Sequence, residues 1–164
     1  MKRFLILGTL LLAVSPLSAK SKQGSWDFGG SVGLTKIGDQ YCPYASISAE
    51  YRMSVFLSWL TRMEITVREM GDSSKFDLSV PSNLLWYPLG GKQKFDPYFG
   101  PGITYTHTYD GDNDLGGNIT AGVDFLFVKG KKFGIRGTYT YYLYPEAKSG
   151  GWRTELTGSW SWEF

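Results

Sequence analysis

The sequence alternates with a period of two from Trp26 to its last residue, and one phase of that alternation excludes charge. The rule is plainest in Gly151–Phe164. Trp152, Thr154, Leu156, Gly158, Trp160, Trp162 and Phe164 fall on one phase, and Arg153, Glu155, Thr157, Ser159, Ser161 and Glu163 on the other. A period of two puts the phases on opposite faces of a strand. Seven earlier stretches follow the same rule, with apolar phases Trp26–Leu34, Ala45–Met53, Trp59–Val67, Phe76–Trp86, Phe99–His107, Ile119–Phe127 and Phe133–Leu143. Gly38-Asp39, Gly71-Asp72-Ser73, Pro88-Leu89-Gly90-Gly91 and Val128-Lys129-Gly130-Lys131 separate stretches as turns do. The acidic run Asp110–Asp114 reads as a loop, and the link near Ser54–Leu57 is unusual in carrying neither Gly nor Pro. Pro81 inside the fourth stretch predicts a bulge, because proline cannot donate to the ladder. The expectation is an all-β, eight-stranded antiparallel up-and-down transmembrane β-barrel.

Charge decides which face meets lipid. The polar phase carries Asp27, Glu50, Arg52, Arg62, Glu64, Arg68, Asp77, Asp124, Arg136, Arg153, Glu155 and Glu163, while the centre of the apolar phase carries none. An apolar interior could not hold these groups, and a soluble barrel has the reverse arrangement. The polar phase therefore lines a lumen. Every arginine after Arg3 lies on it, whereas Lys36, Lys75, Lys92, Lys94, Lys129, Lys131, Lys132 and Lys148 sit near turns or strand ends. Arginine's planar fork suits desolvated pairing with carboxylates, and lysine suits water. We expect a lumen ion-pair network of Glu50, Arg52, Arg62, Glu64, Arg68, Asp77, Asp124, Arg136, Arg153 and Glu155, packed and not an open conduit. Gly33, Gly100, Gly102, Gly122 and Gly134 would leave room for the arginines.

Aromatics concentrate at strand ends, as interfacial belts do. Trp26, Phe28, Trp59, Trp86, Phe99, Phe125, Phe127, Phe133, Trp160, Trp162 and Phe164 would gather at the end bearing both termini. Tyr44, Tyr105, Tyr141 and Trp152 would mark the opposite rim.

The first residues read as an export signal: Lys2 and Arg3, then Phe4–Val14, then Leu17-Ser18-Ala19. The apolar run is too short to span a bilayer, which takes about 20 residues as a helix. Residues 1–19 are expected to be a signal peptide and residues 20–164 one barrel domain, with the termini end in the periplasm. No cysteine follows Ala19 to take a lipid anchor. A net charge of +2 argues for no nucleic acid partner. Cys42, the single cysteine, is read as a loop thiol.

Two segments carry a resemblance. Trp160-Ser161-Trp162-Glu163-Phe164 resembles the carboxy-terminal signal by which the barrel-assembly machinery recognises its substrates. Asp96-Pro97-Tyr98-Phe99-Gly100-Pro101-Gly102 resembles the Pro-Tyr-x-Gly-x-Gly strand start of the small OmpA/OmpX-like outer-membrane β-barrel superfamily. The resemblance implies an eight-stranded barrel in the outer membrane of a diderm bacterium, with Trp160, Trp162 and Phe164 as its assembly signal. It names no activity. No OmpA-type periplasmic domain is expected after Phe164, and the outer loops are shorter than those of many relatives.

Catalytic chemistry finds little support. Some barrels of this size deacylate lipid A with a His and a Ser two residues apart on the lipid-facing side. His107 has that phase, but Tyr109 occupies the second position, and a base without a nucleophile is not a catalytic set. A palmitoyltransferase would want an amphipathic helix before the first strand, for which Lys20–Ser25 is too short. Asp110, Asp112 and Asp114 have calcium-loop spacing without the closing glutamate. We expect no catalytic, cofactor or metal site, and a non-enzymatic barrel serving membrane structure or surface interaction. A narrow channel or uptake barrel and a lipid A-modifying enzyme stand as alternatives. The expected partners are outer-membrane lipids, lipopolysaccharide and the assembly machinery, with the protein a monomer.

Overall fold

The computed structural model describes residues 23–37, 40–70, 73–90, 94–128, 131–142 and 151–162. Residues 1–22, with the export segment and its cleavage site, lie outside this set, as do Phe164 and the side chains of Phe127, Trp152, Trp160 and Trp162. Eight strands follow in order: β1 (Trp26–Ile37), β2 (Gln40–Arg52), β3 (Leu57–Met70), β4 (Ser73–Trp86), β5 (Phe95–His107), β6 (Asn113–Val128), β7 (Lys131–Tyr142) and β8 (Gly151–Trp162). Each pairs antiparallel with the next, and β8 returns to β1 with Trp26 opposite Trp162 and Lys36 opposite Trp152. The closed ladder leaves no open edge, which a bilayer demands because its core offers backbone groups no other hydrogen-bond partner.

The two phases separate as the alternation requires. Ile103 and Ile119 on the outer wall are 62% and 63% exposed, whereas Arg62 and Glu64 inside are 1% and 0% exposed. A water-soluble protein would hide the isoleucines and show the arginine. This outer wall is a lipid-facing surface, and the chain spans a membrane.

Three local expectations are corrected. Pro81 causes no bulge: Thr61 pairs with Ser82 and Glu64 with Ser79 in one unbroken register, and Pro81 stays opposite Thr104 of β5. Its missing N–H is accommodated by a short lapse in the β3–β4 ladder. The irregularity falls instead between Leu126 and Val128, opposite Lys131 and Lys132. Cys42 lies in β2, not a loop, and is buried opposite Thr35. The acidic loop is shorter than its sequence suggests, since Asn113 and Asp114 already belong to β6, paired with His107 and Thr106. Gly111, at φ +90°, takes the left-handed turn that lets Thr108 N–H reach the Asp112 carbonyl at 2.9 Å.

Replacing Ile119 by Arg should cost about 2–4 kcal/mol, the penalty for a cation near the bilayer midplane. Equilibrium unfolding in lipid vesicles would measure it. Unchanged stability would mean that the lipid face is wrongly assigned.

Candidate functional site

The polar phases of all eight strands converge on the lumen, where Glu155 of β8 is the most heavily coordinated group. Its Oε1 lies 2.6 Å from Arg62 Nη1 and 3.2 Å from Arg136 Nη1. Its Oε2 accepts hydrogen bonds from Tyr44 Oη at 2.6 Å and Ser31 Oγ at 2.7 Å. Arg136 is the cross-strand neighbour of Glu155, so their contact follows from register alone. Arg62 is not; it reaches across the lumen from β3, donating also to Thr138 Oγ1 at 3.3 Å. Glu64 sits 3.3 Å from Arg62 and contacts Arg153, which donates in turn to Ser79 Oγ at 3.3 Å. Three arginines thus share two carboxylates at mid-barrel, all deeply buried.

Nearer the Trp26 end the balance reverses. Asp27 stands directly opposite Glu50, and Asp96 directly opposite Asp124, each pair on the inner face. Like charges opposed across a ladder are destabilising. A cation from β7 and another two positions along β2 from Glu50 offset the first pair. Lys132 Nζ donates to Asp27 Oδ2 at 2.8 Å, and Arg52 approaches Glu50 at 3.8 Å. Tyr87 donates to Glu50 Oε1 at 2.9 Å and offers its ring face to the Arg52 guanidinium, 4.0 Å from the centroid. Tyr87 also belongs to an apolar cluster with Leu60, Leu85 and Tyr98. Tyr98 accepts from Arg136 Nε at 2.8 Å, which ties this tier to the one above. At the opposite end Arg68 contacts Asp77, whose Oδ1 accepts from Tyr109 N–H at 3.2 Å.

All ten residues of the expected network face the lumen, with Arg68 at its partly exposed rim. Asp96, Lys132, Tyr44, Tyr87 and Tyr98 join them, and Asp27 is the partner of Lys132. Lys132 does not belong with the turn lysines: it is buried against Asp27. Its phase, shared with Gly134 and Arg136, carried the signal that it turns inward. Tyr44, assigned to the outer rim, likewise has the inward phase of Ser46 and is buried on Glu155. The inward glycines make room less for arginine than for other groups. A methyl at Gly122 would meet Tyr98 Oη at 2.5 Å, and one at Gly134 would meet Asp124 Oδ1 at 2.6 Å.

Outside, Trp26 and Tyr51 rings lie 5.0 Å apart, Trp86 and Phe99 5.0 Å, and Phe95 and Phe125 5.6 Å. With Trp59 these form an aromatic band at one end, and Tyr105 and Tyr141 stand exposed toward the other. His107 bonds Asn113 Oδ1 at 2.9 Å, and Tyr105 Oη donates to the same oxygen at 2.5 Å.

A closed eight-stranded barrel with an apolar wall, an aromatic band and a charged, filled interior is an outer-membrane β-barrel. Solved structures agree on the fold. The N-terminal β-barrel domain of OprF from Pseudomonas aeruginosa superposes with a TM-score of 0.67 at 13% identity, covering 87% of this chain and 100% of that one. The outer-membrane protein OprG of the same organism gives 0.62 at 15%, covering 88% and 98%. The outer-membrane enzyme PagL gives 0.55 at 18%, covering 81% and 97%. The resemblance to the small OmpA/OmpX-like barrels is thus borne out at the level of fold. No family model and no curated protein matches the sequence.

Glu155→Gln should destabilise the barrel by about 3–5 kcal/mol, because Arg62 and Arg136 lose the charge that balances them. Tyr44→Phe removes one hydrogen bond to a charged group and should cost about 1.5–3 kcal/mol. Urea unfolding in vesicles would rank the two, and equal losses would contradict the central place given to Glu155.

Proposed function

We propose that the protein is a sealed, non-enzymatic outer-membrane barrel that stiffens the membrane and presents its short outer loops for interaction. The observation that carries this reading is the filled lumen. Arg62 crosses from β3 to Glu155 of β8, and Leu60, Leu85, Tyr87 and Tyr98 occupy the section nearer the Trp26 end. A solute crossing the interior would, in this reading, have to part Arg62 from Glu155. In this reading the Trp26 end is periplasmic, the barrel is monomeric, and its partners are outer-membrane lipid, lipopolysaccharide and, during biogenesis, the assembly machinery.

PagL is an outer-membrane enzyme, so the enzymatic alternative is weighed, but the polar cluster on the outer face near the end of β5 is His107 with Tyr105 and Asn113. It supplies a base and hydrogen-bond donors without a serine nucleophile. Refolded protein should migrate differently before and after heating in detergent gels and give no steady single-channel current in planar bilayers. Lipid A mass should be unchanged on overproduction. Sustained currents abolished by replacing Arg52 or Arg136 would establish the channel alternative, and a shifted lipid A mass the enzymatic one.

A further inference from the structure

The link between β2 and β3 is built from Met53, Ser54, Val55 and Phe56, an apolar composition foreign to a hairpin turn in water. It is nonetheless tightly held. Met53 and Ser54 N–H both donate to the Leu57 carbonyl at 3.0 Å. Ser54 Oγ accepts from the N–H groups of Phe56 at 3.2 Å and Leu57 at 3.0 Å. Tyr87 N–H then donates to the Phe56 carbonyl at 2.8 Å, fastening this turn to the one that follows β4. Gly90, at φ +73°, lies so close to Val55 that a methyl there would come within 2.9 Å of it. Two neighbouring turns are thereby fixed as a unit that holds Phe56 51% exposed and Leu89 48% exposed, with Met53 and Val55 beside them. A turn ordered to this degree could have folded its phenylalanine inward. It displays it instead.

The patch is continuous with the lipid-facing wall. Leu57 begins β3, and Trp59, on the same outer phase, is about 7 Å further along the strand. Trp86 ends β4 immediately before Tyr87. Interfacial tryptophans mark headgroup depth, and apolar segments lying in that zone bury about 5–10 Å into the headgroup–acyl boundary. Elsewhere on the same end, the β6–β7 turn reads Lys129-Gly130-Lys131 and Lys131 is exposed. The β4–β5 turn likewise carries Lys92 and Lys94 just after Leu89, with Lys94 exposed, so cations border the apolar patch at this end.

We propose that Met53–Leu57 and Leu89 form a lipid-embedded foot, seated in the headgroup–acyl boundary of the leaflet at the Trp26 end. This rests on the membrane-spanning reading. Spin labels at Phe56→Cys and Leu89→Cys, in a Cys42→Ser background refolded into phosphatidylcholine vesicles, test it. Labels at Ile119→Cys and Lys131→Cys serve as references for lipid and water. Collision with oxygen relative to a water-soluble nickel chelate should be several-fold higher at positions 56 and 89 than at 131, and approach that at 119. Ratios at 56 and 89 equal to that at 131, with 119 still lipid-like, would overturn the foot and leave the barrel in place; the patch would then be water-exposed in bare lipid. A water-like ratio at 119 itself would overturn the membrane-spanning reading. Heat-modifiable migration certifies each variant as folded, and Leu89→Cys carries the test if Phe56→Cys does not refold.

Discussion

A bilayer core offers a peptide group no hydrogen-bond partner except another peptide group, and the rest of this structure follows from that. Strands can satisfy one another only if the sheet closes, so β8 must meet β1. Closure at eight strands leaves an interior just wide enough for side chains to fill. Because the outer wall must be apolar, the inner wall is the only place left for polar residues, and the period of two sends them there. The charged core is therefore less a choice of function than a result of geometry. What the sequence does choose is how those charges are balanced.

That balance is uneven along the axis. At mid-barrel, three arginines surround Glu64 and Glu155. Toward the Trp26 end, Asp27, Glu50, Asp96 and Asp124 face Arg52 and Lys132. Neither tier is neutral alone. Arg136 lies between them, touching Glu155 above and Tyr98 below. The tiers compensate one another in buried surroundings, where water screens little. Breaking one pair disturbs its neighbours, so stability effects in this network will not add as independent terms.

The fold was legible because alternation needs no tertiary information: a strand's phase is written in its own residues. The membership of the lumen was legible for the same reason, and Arg62, Arg136 and Glu155 stand where their phase puts them. What failed were inferences that set aside phase for residue type. Lys132 was grouped with water-loving lysines near a turn, and Tyr44 with rim aromatics, although both have the inward phase. Pro81 was expected to bulge because proline lacks a donor, yet the register continues past it and the bulge lies at Leu126–Val128. Which arginine meets which carboxylate was not legible. Those partners come from strands that only the barrel's curvature brings together.

Closure also sets an order in time. Lys132 and Asp27 are separated by 105 positions in the chain, and Ser31 and Glu155 by 124. These contacts join the first strand to the last two, so none can form while the barrel is an open sheet. Contacts so distant in sequence slow folding, because a large loop must be ordered before any of them forms. Until the final strand docks, Glu155 lacks Arg62, Tyr44 and Ser31, Asp27 lacks Lys132, and both need water. The same pairs resist reopening, since separating β8 from β1 would expose them together. Assembly is then slow and all-or-none, and the finished barrel is held shut kinetically by charges that could meet only at the last step.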